Sequence, residues 1–293
     1  MALEAQRSSI SDNASERSTS GDLAGVRSGD AGPGHYDTDL SPDDVFRFWD
    51  YQTTDWSSGR RVWISSPELR ASHEAALSLL APRPGDRVLD LGCGNGVALA
   101  ALARAGADVV GLDYSPGVVR SLSRAIALSD FPGRAHVLQG DAELTCFPSA
   151  SFDKVISCDL FEHLSAESKA RAAAEACRVL RPGGRLVLHT PNLTYLQAKT
   201  LLRGANPFDL RRVYPSDPGL AEAHFGLTRI GAALRLLRAE GFLCVRQHYV
   251  LMPRACELFR HRAAAGLFTV RLPVFRRLLN AHILISADKP PEG

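Results

Sequence analysis

The sequence predicts an α/β fold, a parallel β-sheet covered by helices on both faces, and three observations carry that expectation. From residue 86 onward, short β-rich runs alternate with Ala-, Leu- and Arg-rich stretches of helical length, the pattern of strands joined through helical crossovers. The first of these turns is glycine-rich, "LGCGNG", and an acid ends the strand on either side of it, Asp90 and Asp113. The chain has 293 residues, of which 45% are hydrophobic and 23% charged, enough for one large core with appendages.

Taken in order, residues 1–36 are rich in Ser, Gly, Asp and Arg and poor in aromatics. They bury too little to offset chain entropy and are expected to form a disordered tail. Residues 37–82 are expected to hold N-terminal helices or a lid. The first helix begins at "LSPDDVFRFWDY", where Ser41 can cap, Pro42 suits the first helical position, and Asp43 and Asp44 favour the positive end of the helix dipole. A second begins in "SSPELRASHEAALSLL". Phe46, Phe48, Trp49, Tyr51, Trp56 and Trp63 gather in and between these helices, and packing onto the main domain explains them more simply than a ligand lid does. "DRVLDL", "ADVVGLD", "AHVLQGD", "FDKVISC" and "GRLVLHT" read as five strands. "LTRIGAALRLLRAEGF" then reads as a helix capped by Thr228 and stopped by Gly241, with "LCVRQHYVL" and "AHILISA" as two further strands. There is no internal repeat.

Composition narrows the function classes. A net charge of +2 lacks the basic excess of a sequence-independent nucleic-acid binder. Cys93, Cys146, Cys158, Cys177, Cys244 and Cys256 are scattered with no CxxC pair, which signals neither a zinc site nor a disulfide framework and fits a reducing cytoplasm. No apolar run reaches membrane-spanning length, and no apolar signal core follows the first charges. The expected location is cytoplasmic.

The strongest signal is "VLDLGCGNGVALAALARAGADVVGLDYSP". Glycines let a backbone approach a ligand closely, and the helix that follows offers free N–H groups to an anionic group such as a carboxylate. Asp113, ending the second strand, is placed to accept hydrogen bonds from ribose hydroxyls. The spacing is G-x-G-x-G rather than the G-x-G-x-x-G of dinucleotide folds, and "GDAELTCFPSASFD" follows the third strand. With "DLFEHL" and "LRPGGRLVLHTPN" these stretches resemble the class I S-adenosylmethionine-dependent methyltransferases, in motif closest to small-molecule O-methyltransferases of quinone biosynthesis. The resemblance implies a Rossmann-like domain over about 83–288 with seven strands ordered 3-2-1-4-5-7-6, the seventh antiparallel, and lid insertions at about 193–226 and 252–279. It implies S-adenosyl-L-methionine as cofactor, with its methionine moiety held by the loop Asp90, Gly92, Cys93, Gly94, Asn95 and Gly96. Asp113 would take the ribose, Tyr114 would lie against the adenine, Asp141 with the backbone of Ala142 would read the adenine edge, and Asp159 would sit near the methionine end.

The loop after the fourth strand, Asp159 to Leu164, carries Glu162 and His163 among apolar neighbours, with Ser165 as the cap of the next helix. If the loop makes one helical turn, positions 159, 162 and 163 share a face. Three roles compete for Glu162 and His163: a structural pair, a general base worth about 10² to 10⁴ in rate, or metal ligands. For the third, Asp/Glu-x-x-Glu-His resembles quinone-biosynthetic and small-RNA 2′-O-methyltransferases, and the resemblance implies a divalent ion held by Glu162, His163 and His224. Asp159 departs from the usual Glu there. His189, ending the fifth strand, is another candidate base. The acceptor is expected to be a small molecule methylated at oxygen. The segments outside the core pattern would grip it, whether aromatic or lipid-like. The last of them, with Arg254, Arg260, Arg262, Arg271, Arg276 and Arg277, reads more simply as a helical lid with a solvated face than as a surface that meets a lipid or an anionic substrate. The alternatives are a metal-assisted RNA 2′-O-methyltransferase, a nicotinamide-dependent oxidoreductase, which the glycine spacing disfavours, and a binding module without turnover.

Overall fold

In the computed structural model, residues 67–127, 129–209, 224–250 and 280–292 are described. The expected tail, the first N-terminal helix with its aromatics and the 252–279 insertion lie outside the described residues. The elements are α1 (Pro67–Leu80), β1 (Arg87–Leu91), α2 (Val97–Arg104), β2 (Asp108–Asp113), α3 (Pro116–Ala127), β3 (Ala135–Gln139) and β4 (Phe152–Cys158). After a 3₁₀ turn at Phe161–His163 come α4 (Ala166–Val179), β5 (Leu180–Pro191), α5 (Leu193–Leu202), α6 (Ile230–Ala239), β6 (Leu243–His248) and β7 (His282–Asp288).

The seven strands form one sheet ordered β3-β2-β1-β4-β5-β7-β6, with β7 antiparallel to both β5 and β6. This is the order the family resemblance implies. β1 lies in the middle because Val88, Leu89 and Leu91 are buried and must be covered on both sides of the pleat. One apolar layer, built on Leu89, Leu112, Val155, Leu186 and Ile285, takes in α4 and α6. The opposite layer, with Val88, Val109, Ile156 and Leu284, takes Ala76 and Leu80 of α1 and Leu99 and Leu102 of α2. Each such aliphatic side chain removed from water contributes about 1.5–3 kcal/mol, so α1 is bound by its own apolar stripe and contacts β4, β5 and β7.

Helix ends follow local chemistry in most places. The Ser165 hydroxyl accepts from Ser168 N at 3.1 Å, as expected of a cap. Ser115 caps α3, accepting from Val118 N at 3.3 Å, and Gly241 (φ +88°) ends the run after α6. Thr228 is not the cap of α6: Arg229 occupies that position without a side-chain cap bond. The Thr228 backbone is instead drawn into a bridge with Asn192, its carbonyl accepting from Leu193 N at 3.1 Å. No described helix is long and apolar enough to cross a membrane.

The sheet reverses direction of travel between β1 and β4, since the chain runs outward from β1 through β2 to β3 and returns to pair β4 on the other side. In such sheets the crevice at the carboxyl ends of the two central strands is where ligands bind. At the opposite end, a depression lined by Arg83, Asp86, Asp153, Lys154 and Arg181 is closed by Lys154–Asp86 and Arg181–Asp153 ion pairs and gathers no reactive set.

Candidate functional site

At the tips of β1 and β2 the glycine loop forms a cradle. Gly94 (φ +46°) donates its N–H to Asp113 Oδ2 at 2.8 Å, and Ser115 N donates to Asp113 Oδ1 at 3.0 Å, so the β2 acid fixes both the loop and the start of α3. A Cβ on Gly94 would meet nothing closer than 4.0 Å, which leaves its outer side open to a ligand. Gly96 is the tight one: at φ +74° a Cβ would stand 2.5 Å from Leu122. Cys93 turns inward against Val118 and Leu122, so only its backbone faces the loop. Asn95 Oδ1 accepts from Val97 N at 3.3 Å and helps start α2.

Burial pushes the Asp90 carboxyl up to about 7, with the Asp113 charge adding to it, and its Oδ2 is buried without a hydrogen-bond partner. Burial also raises Asp113, opposed by the N–H groups it accepts. An orphaned carboxylate oxygen beside an open backbone cradle suits a ligand that carries positive charge and amino groups. At the tip of β2, Tyr114 is exposed, its carbonyl accepting from Gln139 Nε2 at 3.3 Å. Asp141 is exposed after β3, its Oδ1 accepting from Glu143 N at 2.9 Å, while Ala142 is half-buried against the core.

At the tips of β4 and β5 the polar trio of the 159–164 loop divides. The 3₁₀ turn spans only Phe161–His163, and Asp159 stands outside it at φ +55°, so the three side chains do not share one helical face. Asp159 goes to histidines that come from elsewhere: His73 Nε2 of α1 lies 2.8 Å from Oδ2, and His189 Nδ1 of β5 lies 3.0 Å from Oδ1. The His73 and His189 rings meet edge to face at 4.9 Å between centroids, and His189 lies 4.7 Å from His282, whose Nδ1 is 3.0 Å from Ser72 Oγ. Burial would raise Asp159, but His189 and His73 hold it well below the usual carboxylate range. Burial, with His189 alongside, pulls His282 down to about 3.

Glu162 and His163 go the other way. Glu162 Oε2 accepts from Thr190 Oγ1 at 2.8 Å, and the carboxyl is held well above its ordinary range by burial and by the nearby Asp159 charge. His224 arrives from the stretch before α6, its ring 4.7 Å from that of His163. It is fixed there by Gly226 N donating to Glu162 O at 2.7 Å and by Lys169 Nζ donating to Gly226 O. One ligand atom from each of Glu162, His163 and His224 lies within 4.8 Å of the others. Burial and His163 bring His224 down to about 3, so its imidazole is neutral in ordinary conditions. The three residues expected as metal ligands are thus neighbours.

His73 and His282 carried no signal in the sequence. His73 sits on α1 beside the buried positions Ser72, Ala76 and Leu80, and a histidine at the rim of an amphipathic stripe is ordinary.

Residues 89–188 match the family described as a methyltransferase domain. The match covers the core of the sheet, whose strand order is the one that the resemblance to class I S-adenosylmethionine-dependent methyltransferases implies. The chain is 35% identical over 187 residues to nocamycin O-methyltransferase of Saccharothrix syringae, which spans 58% of this chain and 64% of that one. It is 38% identical over 147 residues to demethylmenaquinone methyltransferase of Beutenbergia cavernae, spanning 50% and 54%. The chain therefore covers less than two thirds of either relative's length. In fold it is similar to magnesium protoporphyrin IX methyltransferase of Synechocystis PCC 6803, solved with bound SAH, at a TM-score of 0.57 and 18% identity over 85% of this chain and all of that one. None of these relatives lends support to the RNA or nicotinamide alternatives.

Proposed function

We propose that this protein transfers a methyl group from S-adenosyl-L-methionine to a hydroxyl oxygen of a small molecule. The observation that carries the proposal is the coincidence of the methyltransferase-domain match with an open cradle formed by the Asp90–Gly96 loop, Asp113 and the orphaned Asp90 oxygen. The cofactor, when bound, supplies an electrophilic methyl group. Asp113 would hold the ribose, its two oxygens retaining lone pairs beyond those given to Gly94 N and Ser115 N. Tyr114 would flank the adenine, Asp141 and Ala142 its edge, and Asp159 the methionine end. Alignment and exclusion of water are the chain's main task, since positioning alone can supply about 7–11 kcal/mol of barrier reduction.

Proton removal from the acceptor is the second task. Glu162, His163 and His224 fit a divalent ion in donor chemistry, one carboxylate with two imidazoles, and such an ion would lower the pKa of a bound hydroxyl. An ion there would also favour the ionised form of Glu162, which burial disfavours. The named activities of the two relatives support a small, aromatic or lipid-like acceptor, and free thiols throughout the described residues support a reducing, cytoplasmic setting.

Calorimetry with S-adenosylhomocysteine, followed by a methyl-transfer screen over phenols, quinone precursors, polyketides and lipid hydroxyls with and without chelator, tests this reading. Binding of S-adenosylhomocysteine weakened by about 1–3 kcal/mol in Asp113→Ala is the expected result. No uptake of S-adenosylhomocysteine by the folded chain would overturn the proposal. Turnover that survives chelator but is lost in His163→Ala would replace the metal with His163 as direct base.

A further inference from the structure

On the Asp159 side of the crevice, three buried ring nitrogens of two histidines make no hydrogen bond. His73 gives its Nε2 to Asp159 and leaves Nδ1 buried and unbonded. His189 brings Nδ1 within 3.0 Å of Asp159 Oδ1 as an ion-pair contact without hydrogen-bond geometry, and its Nε2 is likewise buried and unbonded, in a side chain with no solvent exposure at all. Buried polar atoms are normally satisfied, and three unsatisfied nitrogens on two rings facing one carboxylate call for a cause. Beside them lies a soft donor: one nitrogen from each imidazole and Cys158 Sγ all lie within 4.8 Å of one another.

We propose that His73, Cys158 and His189 form a second metal site, selective for a thiophilic divalent ion of the zinc type, with Asp159 orienting both imidazoles from behind. Four features of the molecule agree on it. Two nitrogens and one sulfur are the donor set of zinc rather than of magnesium or calcium, which take oxygen. A carboxylate on the far nitrogen of each ligating imidazole is the usual arrangement around such ions, because it fixes the tautomer and the ring direction. Asp159 contacts one nitrogen of each ring, and the nitrogen it does not touch on each is without a partner. The Asp159 charge acts on the Cys158 sulfur, so the local field favours a cation.

The framework also brings the donors together from separate elements. Cys158 and His189 are direct partners in the β4–β5 register, and α1 delivers His73 across both strands. A tetrahedral ion holds nitrogen at about 2.0–2.1 Å and sulfur at about 2.3 Å, which puts donors roughly 3.3–3.6 Å apart. Closing from 4.8 Å requires about 1.2–1.5 Å of approach between donors, which rotation of the side chains can supply. Three protein donors leave a fourth position for water or another small oxygen ligand, as in catalytic rather than structural zinc sites.

Cobalt(II) is the probe, because a thiolate–cobalt bond gives a charge-transfer absorption in the near ultraviolet that oxygen and nitrogen ligands do not. The titration uses the full chain carrying Glu162→Gln and His224→Ala, which removes the first cluster as a competitor. One equivalent of cobalt is expected to produce the band, zinc to bleach it, and the further Cys158→Ser or His189→Gln change to abolish it. Thermal unfolding run alongside should show zinc raising Tm in the Glu162→Gln/His224→Ala chain and not after Cys158→Ser, with unaltered far-ultraviolet dichroism establishing that the serine variant is folded. Absence of the band at equimolar cobalt, or its persistence in Cys158→Ser, would overturn the site. Neither outcome bears on methyl transfer, since neither readout depends on turnover.

Discussion

Two polar clusters occupy adjoining strand tips, and they differ in how the chain assembles them and in what their charges cost. Glu162, His163 and His224 include two consecutive residues, joined by a third that is tied to the same turn through Gly226. His73, Asp159 and His189 come from a helix, a loop and a strand, and the His73–Asp159 bond spans 86 positions. In the first cluster the carboxyl is pushed toward its neutral form by burial; in the second it is kept ionised by two imidazoles. Two carboxyl groups three residues apart are thus sent in opposite directions by their surroundings, the separation that sets acid and base roles apart in one site.

Gly226→Ala is the strongest test of that difference. A Cβ at 226 would stand 2.2 Å from the Leu164 carbonyl and 2.9 Å from those of Glu162 and Phe161, and backbone cannot rotate away as a side chain can. The expected loss is about 3 kcal/mol of stability, read from urea midpoints. The same change should separate His224 from the 3₁₀ turn and cancel any metal response of the first cluster, while the cobalt–thiolate band at Cys158 persists. Loss of both together would mean the clusters are one unit.

Asp159→Asn is expected to cost less, about 1–3 kcal/mol near neutrality, by leaving two oriented imidazoles without their charge partner. Its pH dependence has a definite sign. The folded-state pKa of Asp159 lies below the unfolded value of about 3.9. The stabilisation is therefore complete above about pH 4 and is lost as pH falls further. Urea unfolding at a series of pH values should show a constant gap between wild type and variant down to about pH 4, closing below it. A gap that does not close as pH falls below about 4 would refute the assignment to the Asp159 carboxylate.

How far the sequence reached follows the same division. The glycine loop, Asp113 and the seven strands were legible because each is a local pattern a few residues long, and the strand order came with the family resemblance. His224 likewise came with the resemblance, which implies a histidine just before a later helix. Asp159 was expected beside Glu162 and His163 on helical geometry, but the turn is 3₁₀ over three residues only and a positive φ at 159 redirects the chain. His73 could not be read, because its partner is fixed only once α1 docks on the sheet. Thr228 failed as a cap for a related reason: pairing with Asn192 claims that backbone first.

Glu162→Gln should have the smallest effect, and of opposite sign. Gln keeps an oxygen for the Thr190 hydroxyl and removes the group that burial and Asp159 resist ionising. With a folded pKa well above the unfolded value of about 4.3, wild type binds an extra proton when folded. Its stability declines as pH rises from that value toward the raised one. In chelator, the variant should match wild type within about 1 kcal/mol near pH 5 and exceed it increasingly toward pH 8. Adding a divalent ion should reverse the order, since a cation restores the value of the charge that Gln lacks. Destabilisation of several kcal/mol at every pH in chelator would mean that Glu162 is ionised in the folded chain, with Lys169 as its counter-charge, and the contrast between the two carboxyls would disappear.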